Sequence, residues 1–309
     1  GENMIFIKNK ITDVYFNLAM EEYIFEKFKE DEIFMLWINE PSVVIGKHQN
    51  LVEEVNMKYC FENKIKIARR ISGGGTVVHD FGNLNYTYIT NTTGDTELNF
   101  KEFLKPMHNA LLSLNIDAYV SPRNDFRVGE NKICGHSQFM RKKRVLHHGC
   151  ILFNSNLEDL RGALNVKHKQ VVSNSAKSVR SSVANLKDIS NLNYEISDFI
   201  EKLKNEILKM REDFKIYELT EEDILNIDRI KEEKYSTKEW IYGQSPKCTF
   251  VLNEEKGYNV EIVNGKIAKI NAENSFEELV GSYFEYEEIK NKIEILEIKD
   301  EEILKLKEI

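Results

Sequence analysis

The sequence predicts an α+β fold: an amphipathic helix near the start, a dense series of short β-branched strands behind it, and a pair of striped helices in the second half. Phe16, Ala19, Met20, Tyr23, Ile24 and Lys27 recur at helical spacing around Glu21-Glu22. Segments 33–38, 42–45, 65–71, 76–79 and 85–90 are short, β-branched or aromatic, and broken by Pro41, glycines and Asn-rich turns, so they read as strands. Residues 100–114 place Phe103, Leu104, Met107, Leu111 and Leu112 on one helical face. Segments 118–121, 126–128, 132–134, 138–140 and 145–153 restore the strand pattern, with turns at 128–131 and 141–144. The basic run Arg141-Lys142-Lys143-Arg144 at the second turn reads as a solvated hairpin tip.

The stretch Gly162 to Asn185 is polar and weakly periodic, and a loop that long inside a compact domain is functional or disordered. Ile196, Phe199, Ile200, Leu203, Ile207 and Leu208 then stripe one helix, and Thr220 with Asp223 makes a capping box for a second that should run to about Glu233. Gly243, Ser245 and Pro246 mark a linker. Beyond it, segments 258–263 and 266–272 flank Asn264-Gly265, the strongest hairpin signal in the chain, and a helical 276–280 and a Lys/Glu/Ile-rich tail follow. The expected organisation is a large mixed or antiparallel-sheet domain over 1–245 and a small α+β accessory C-terminal domain over 246–309.

With 309 residues, 41% hydrophobic and 30% charged, the chain is ordinary globular material. Its net charge of −8 argues against a nucleic-acid partner. No apolar run approaches a membrane span and no secretory signal is evident, so a cytoplasmic location without membrane attachment is expected. Gly1-Glu2-Asn3 ahead of Met4 reads as an expression scar. Cys60, Cys134, Cys150 and Cys248 are too irregularly spaced for a disulfide framework or zinc ribbon, which points to reduced thiols.

The most informative segment is Arg69-Arg70-Ile71-Ser72-Gly73-Gly74-Gly75-Thr76-Val77-Val78-His79-Asp80, followed by Gly82-Asn83-Leu84-Asn85. Consecutive glycines cost backbone entropy on ordering, so something must approach that backbone closely. Successive amides in such a turn form a concave anion site, and guanidinium groups fork onto carboxylate or phosphate. No Gly-Lys-Ser/Thr follows and no helix opens after the loop, which excludes a Walker loop and a dinucleotide fingerprint in favour of a strand–loop–strand nest. A second constellation is Arg123-Asn124-Asp125-Phe126, Lys132-Ile133-Cys134-Gly135 and His147-His148-Gly149. Strand alternation puts His147 and His148 on opposite faces, so they cannot share a metal. Lys132 opens a strand with apolar neighbours that could partly bury its ammonium, although on sequence alone a solvated lysine is the more common case.

Together the glycine-rich segment, Asn124-Asp125, Lys132-Ile133-x-Gly135-x-x-Gln138 and His147-His148-Gly149 resemble the lipoate–protein ligase A family, within the biotin/lipoate ligase fold. The resemblance extends to Asn17-Leu18-Ala19-Met20-Glu21-Glu22, to 44–50, to 177–186, and to the junction Trp240-Ile241-Tyr242-Gly243-Gln244-Ser245-Pro246. It implies an ATP-dependent enzyme that converts lipoate to lipoyl-AMP and transfers the lipoyl group to a lysine of a lipoyl domain. The acceptor would be a 2-oxoacid dehydrogenase acyltransferase subunit or a glycine-cleavage H protein. By position, Lys132 would be the catalytic lysine. Arg70, Gly75, Thr76, Val77, Val78, Asn124, Asp125 and Lys132 would bind ATP, with Asp125 near nucleotide-borne Mg2+. Trp37, Arg70, Ser72, Gly73, Gly74, His79, Lys132 and His148 would bind lipoate. A mixed anhydride needs shelter from water, and the polar stretch 162–185 is the candidate cover.

Cys150 stands where such ligases usually carry Thr or Ser. It keeps open an octanoyl- or lipoyltransferase that uses this thiol without ATP. A non-catalytic lipoate-binding protein is the third reading, which Lys132 argues against. Lipoate and octanoate suit the residues equally well.

Overall fold

The computed structural model describes residues 3–92, 100–166 and 171–309. Residues 167–170 of the polar stretch and the first two of the scar lie outside them. In chain order the elements are β1 (Met4–Lys8), α1 (Val14–Lys27), β2 (Glu32–Trp37), β3 (Ser42–Ile45), α2 (Leu51–Glu54), α3 (Met57–Glu62), β4 (Lys66–Arg69), β5 (Val77–His79) and β6 (Asn83–Asn91). Next come α4 (Phe100–Ser113), β7 (Tyr119–Val120), β8 (Phe126–Val128), β9 (Asn131–Arg141), β10 (Arg144–Leu152), α5 (Leu157–Leu164) and β11 (Val171–Ser173). The remainder is α6 (Leu186–Ile189), α7 (Ile196–Lys209), β12 (Phe214–Glu218), α8 (Glu221–Ile230), α9 (Lys238–Ile241), β13 (Cys248–Asn253), β14 (Tyr258–Val263), β15 (Lys266–Asn271), α10 (Tyr286–Ile295) and α11 (Glu301–Leu304).

These elements pack as two compact units, each assembled from separated segments: Gly1–Glu40, His79–Leu157 and Arg180–Lys231 in the first, and Pro41–Val78, Glu158–Val179 and Glu232–Ile309 in the second. The first is built on a mixed eight-stranded sheet of order β12-β1-β2-β6-β10-β9-β8-β7. β1 runs parallel to β2 and β12, and the other pairings are antiparallel. Alternate residues such as Phe34, Leu84, Tyr86 and Ile151 face Leu104, Met107, Leu111, Phe199 and Leu203 of α4 and α7, forming the main core. On the opposite face α1 inserts Glu21 toward β6 and β10. α1 itself starts on an Asp13 cap.

The second unit contains the short sheet β4-β3-β5 and the four-stranded sheet β11-β13-β14-β15. Phe250, Leu252, Val260, Ile262, Ile267 and Ile270 of the latter are buried, as are Ile289 and Ile293 of α10. The β14–β15 turn is the one expected, with φ of 52° at Asn264 and 73° at Gly265.

The sequence reading differs from the structure in several elements: it lacks β1, α2, α3, α5 and β13, and the helix expected over 276–280 is a short 3-10 turn at Glu277–Leu279. Segments 132–134 and 138–140 belong to one strand, β9, because Gly135 interrupts the propensity without interrupting the pairing. β12 escapes the pattern because it is an edge strand whose residues are mostly exposed, so little alternation is imposed on it. α8 gives way to a π-helical turn at Lys231–Tyr235. The polar stretch is not featureless: it includes the end of α5, the strand β11, and contacts described below.

Candidate active site

Lys132 lies near the start of β9, where the register with β8 shifts between Phe126 and Arg127. Its Nζ is 3.0 Å from Asp125 Oδ1, and Arg127 Nη2 is 3.7 Å from the other carboxylate oxygen. Asp125 is buried, and Ser121 Oγ accepts from its amide. The Lys132 backbone is clamped on its other edge: its N–H donates to Ser182 O and its carbonyl accepts from Ala184 N–H. Gly135 makes room for the side chain, since a Cβ there would lie 3.0 Å from both Nζ and Cε of Lys132. The lysine is therefore a paired ammonium, 27% exposed, and not a freely solvated charge.

The strand registers place β2, β6, β10 and β9 side by side beneath α1. One cross-strand row is Trp37, Asn85, Cys150 and Gly135; the next, two residues along each strand, is Met35, Thr87, His148 and Ser137. In the second row Trp37 Nε1–H, reaching across from the first, donates to Thr87 Oγ1 at 2.9 Å, and Thr87 Oγ1–H donates to Glu21 Oε2 at 2.7 Å. His148 Nδ1 sits 2.9 Å from the same carboxylate oxygen and its Nε2 is 2.8 Å from Ser137 Oγ. Glu21 thus gathers a hydroxyl and an imidazole in a buried site. His79 turns its ring edge toward Trp37 at 6.5 Å, with Asn39 Nδ2 donating to its Nδ1.

His147 faces the other way, as alternation requires, against Phe100, Phe103 and Tyr86. Its Nε2 lies 3.0 Å from Tyr86 Oη and Gln138 Nε2 donates to its Nδ1, an arrangement that suits the neutral ring. Burial pushes its pKa well below the usual histidine value. Asn124, at φ 61°, uses its carbonyl to accept from His136 Nδ1. Among the described residues no group of three or more His, Cys, Asp or Glu side chains is placed to hold a metal ion. A cleft of about 920 Å³ beside the end of β1 and α7 is lined in part by Trp37, Phe81 and Ile200, and Lys132, Asp125 and His148 are not among its lining residues.

The glycine-rich loop lies in the second unit, between β4 and β5. Arg70 is buried and its guanidinium holds the loop from inside: Nε donates to Ser72 Oγ, Nη1 to Val44 O, and Nη2 to Gly73 O and Gly75 O at 2.6 Å each. A trans peptide that turns its carbonyl inward turns the following N–H outward, so Gly74 presents its amide away from Arg70. Two of the three glycines are needed, for separate reasons, and the third is not crowded. Gly74 has φ 86°, Gly75 is crowded by Ser178 Oγ at 3.2 Å from its would-be Cβ, and Gly73 has open space around it. A side chain on Gly46 would overlap the Gly74 carbonyl. Ser178 Oγ accepts from Thr76 N–H at 2.8 Å and from Gln49 Nε2 at 3.0 Å, so the polar stretch anchors the loop's exit. Val78 is buried and Val77 half-buried.

Arg69, fully buried, serves the same unit differently. It donates to the carbonyls of Gly46, Lys47, Gln49, Trp240 and Ile241 and to Ser245 Oγ, and Trp240 Nε1 donates back to its carbonyl. Burial lowers its pKa to about 10.

Residues 13–208 match the family model of the lipoyl protein ligase A/B catalytic domain. The chain belongs to that family. Lipoate–protein ligase 1 of Staphylococcus aureus is 41% identical over 84% of this chain and 80% of its own length. Lipoate-protein ligase LplJ of Bacillus subtilis is 40% identical over 85% and 82%. Among solved structures, a Thermoplasma acidophilum ligase with bound lipoic acid superposes with a TM-score of 0.64 at 27% identity, over 78% of this chain and 99% of that one. A lipoate-protein ligase A bound with ATP gives 0.64 at 28%, over 78% and 98%. A bipartite T. acidophilum ligase, solved in a study with its E2 lipoyl domain, gives 0.65 at 28%, over 78% and 96%. The lipoate ligase fold expected from the motifs is the fold found.

Of the residues singled out in the sequence, Trp37, His79, Asn124, Asp125, Lys132 and His148 fall in the first unit, and Arg70, Ser72, Gly73, Gly74, Gly75, Thr76, Val77 and Val78 in the second. Glu21, Gly135, Ser137 and Ser178 were not selected. Glu21, Gly135 and Ser178 lie within segments that carry the family resemblance, whereas Ser137 becomes visible only once β9 is in register with β10.

Proposed function

We propose that this ligase-family chain is an ATP-dependent lipoate–protein ligase: it activates lipoate as lipoyl-AMP and passes the lipoyl group to a lysine of a lipoyl domain. Identity of 40–41% with named lipoate–protein ligases over most of both chains carries the reading. The paired Lys132 ammonium and the outward Gly74 amide supply its chemistry.

In the first step the lipoate carboxylate attacks the α-phosphorus of ATP and pyrophosphate leaves. In the second the acceptor amine attacks the acyl carbonyl and AMP leaves. Both transition states gather negative charge on phosphate or carbonyl oxygen, which a positioned ammonium and fixed amide dipoles stabilise. Lys132 takes that role, with Asp125 holding it in place. Gly75 to Val78 cradle the triphosphate. Arg70 acts first as the residue that shapes the loop, and direct contact with ATP or lipoate requires it to exchange one of its bonds to Gly73 or Gly75. Asp125, flanked by two cations, is ill suited to be a fixed Mg2+ ligand, so Mg2+ would arrive on the phosphates of ATP. Trp37, His79 and His148 supply the lipoate-facing wall.

We assign adenylation to 1–245, an accessory role to 246–309, and cover of the adenylate to the polar stretch 162–185. The T. acidophilum ligase studied with an E2 lipoyl domain supports a lipoyl domain as acceptor. The deciding experiment incubates the protein with lipoate, Mg2+ and an apo lipoyl domain, with and without ATP, and reads the acceptor's intact mass. Modification only with ATP is expected. Modification without ATP from an acyl-protein donor, abolished by Cys150→Ser, would replace this reading with a thiol-based transferase.

A further inference from the structure

The row Trp37, Asn85, Cys150 and Gly135 contains a mismatch. Asn85 is 2% exposed, its Oδ1 accepts from Asn83 Nδ2 at 3.0 Å, and its Nδ2 has no hydrogen-bond partner among the described residues. Its side chain lies on the same face as Thr87, two residues on, whose hydroxyl meets Glu21. In the neighbouring row Thr87, His148 and Ser137 engage one another through Glu21 or directly. A buried donor left unmatched is costly and rare in native structures. Asn83 Oδ1, on the amide that donates to Asn85, is likewise without a partner among the described residues.

The row also fixes how far Asn85 is from the reacting end. Lys132 Nζ lies over Gly135, and Gly135 is two strands away from Asn85, or about 9–10 Å at the usual strand spacing. That is the reach of a medium-length acyl chain whose carboxyl end is at the ammonium.

We propose that Asn85 is a specificity-determining residue that reads the far end of the acyl chain, its buried amide favouring a sulfur-bearing terminus over a plain alkyl one. The inference rests on the ligase reading above and deepens it by choosing between lipoate and octanoate. A ring sulfur accepts a hydrogen bond weakly, and a dithiol both accepts and donates. An alkyl terminus seated in the same place keeps the amide from water and offers it nothing, and a site built around a hydrogen bond discriminates strongly against analogues that lack the partner.

The test compares kcat/KM for lipoate and octanoate, read as pyrophosphate release, in the wild type, Asn85→Leu and Asn85→Thr. The wild type should favour lipoate. Asn85→Leu should shrink the lipoate-to-octanoate ratio about tenfold, whereas Asn85→Thr, which keeps a donor, should hold most of it. A purely structural role would lower both substrates by the same factor, and an equal drop or an unchanged ratio in Asn85→Leu overturns the proposal. Calorimetric binding of the two acids to the same proteins separates the two claims: if the wild type releases no pyrophosphate, the ligase reading fails, while the binding ratio still decides the role of Asn85.

Discussion

Lys132 owes its position to what is missing beside it as much as to its partner. Asp125 attracts the ammonium, but only a residue without a side chain at 135 lets it lie across β9. Gly135→Ala should therefore lower the rate of adenylate formation about tenfold with little loss of stability, because the atoms it meets are the flexible end of a side chain; pyrophosphate release and urea unfolding on the same sample check this. Lys132→Ala should abolish adenylate formation and also destabilise the fold by about 1–3 kcal/mol, since a buried carboxylate loses its nearest cation. Adding Asp125→Asn to Lys132→Ala should recover stability without activity, which a double-mutant cycle in urea would show. Lys132, Arg70 and Trp37 are singled out in the sequence by the family resemblance and not by composition or local spacing. Glu21, Asn85 and Ser137 were not selected because their meaning depends on which residue of another strand stands opposite, and register is a property of pairing and not of local composition.

Helices and turns show the same division. The Thr220–Asp223 capping box was readable, and it is present with both of its reciprocal hydrogen bonds. Thr220→Ala should cost about 1 kcal/mol of stability, measured as a lowered urea midpoint at unchanged slope. The basic run at the β9–β10 turn was only half legible. Lys142 and Lys143 are exposed as a solvated tip requires, but Arg144 is buried and donates to the carbonyls of Phe25, Phe28, Lys29 and Asp31, closing the C-terminal end of α1. A charge run cannot reveal which of its members faces inward. The polar stretch after α5 is similar: Ser178 is one serine among several in sequence, yet its hydroxyl holds Thr76 and Gln49.

For the first unit as a whole, acid should be destabilising. His147 is fully buried and its pKa is depressed by desolvation, so between about pH 6.5 and its lower native value the unfolded chain binds a proton that the native chain does not. Stability should fall as pH drops through that window. At Asp223 burial raises the pKa, but Lys27, the hydroxyls of Tyr217 and Tyr23 and the Thr220 amide lower it further, so the net shift is downward and its contribution is lost below the ordinary carboxylate range. The urea midpoint should be lower at pH 5 than at pH 7.5, and His147→Gln should flatten that difference; equal midpoints at the two pH values would refute the assignment. Composition divides a chain only at breaks such as Gly243 to Pro246. A unit assembled from separated segments leaves no such signature, and for that reason the interleaving of the two units was not legible.

The buried guanidinium of Arg69 imposes an order in time. Its partners Trp240, Ile241 and Ser245 follow it by 171 to 176 residues, so during synthesis the arginine waits, hydrated, while the two later segments of the first unit, His79–Leu157 and Arg180–Lys231, are made. Closing so long a loop is slow, and domains otherwise tend to complete from the N-terminal side. The glycine loop beside Arg69 is thus among the early sequences to be made and, for want of its distant partners, among the last to be locked.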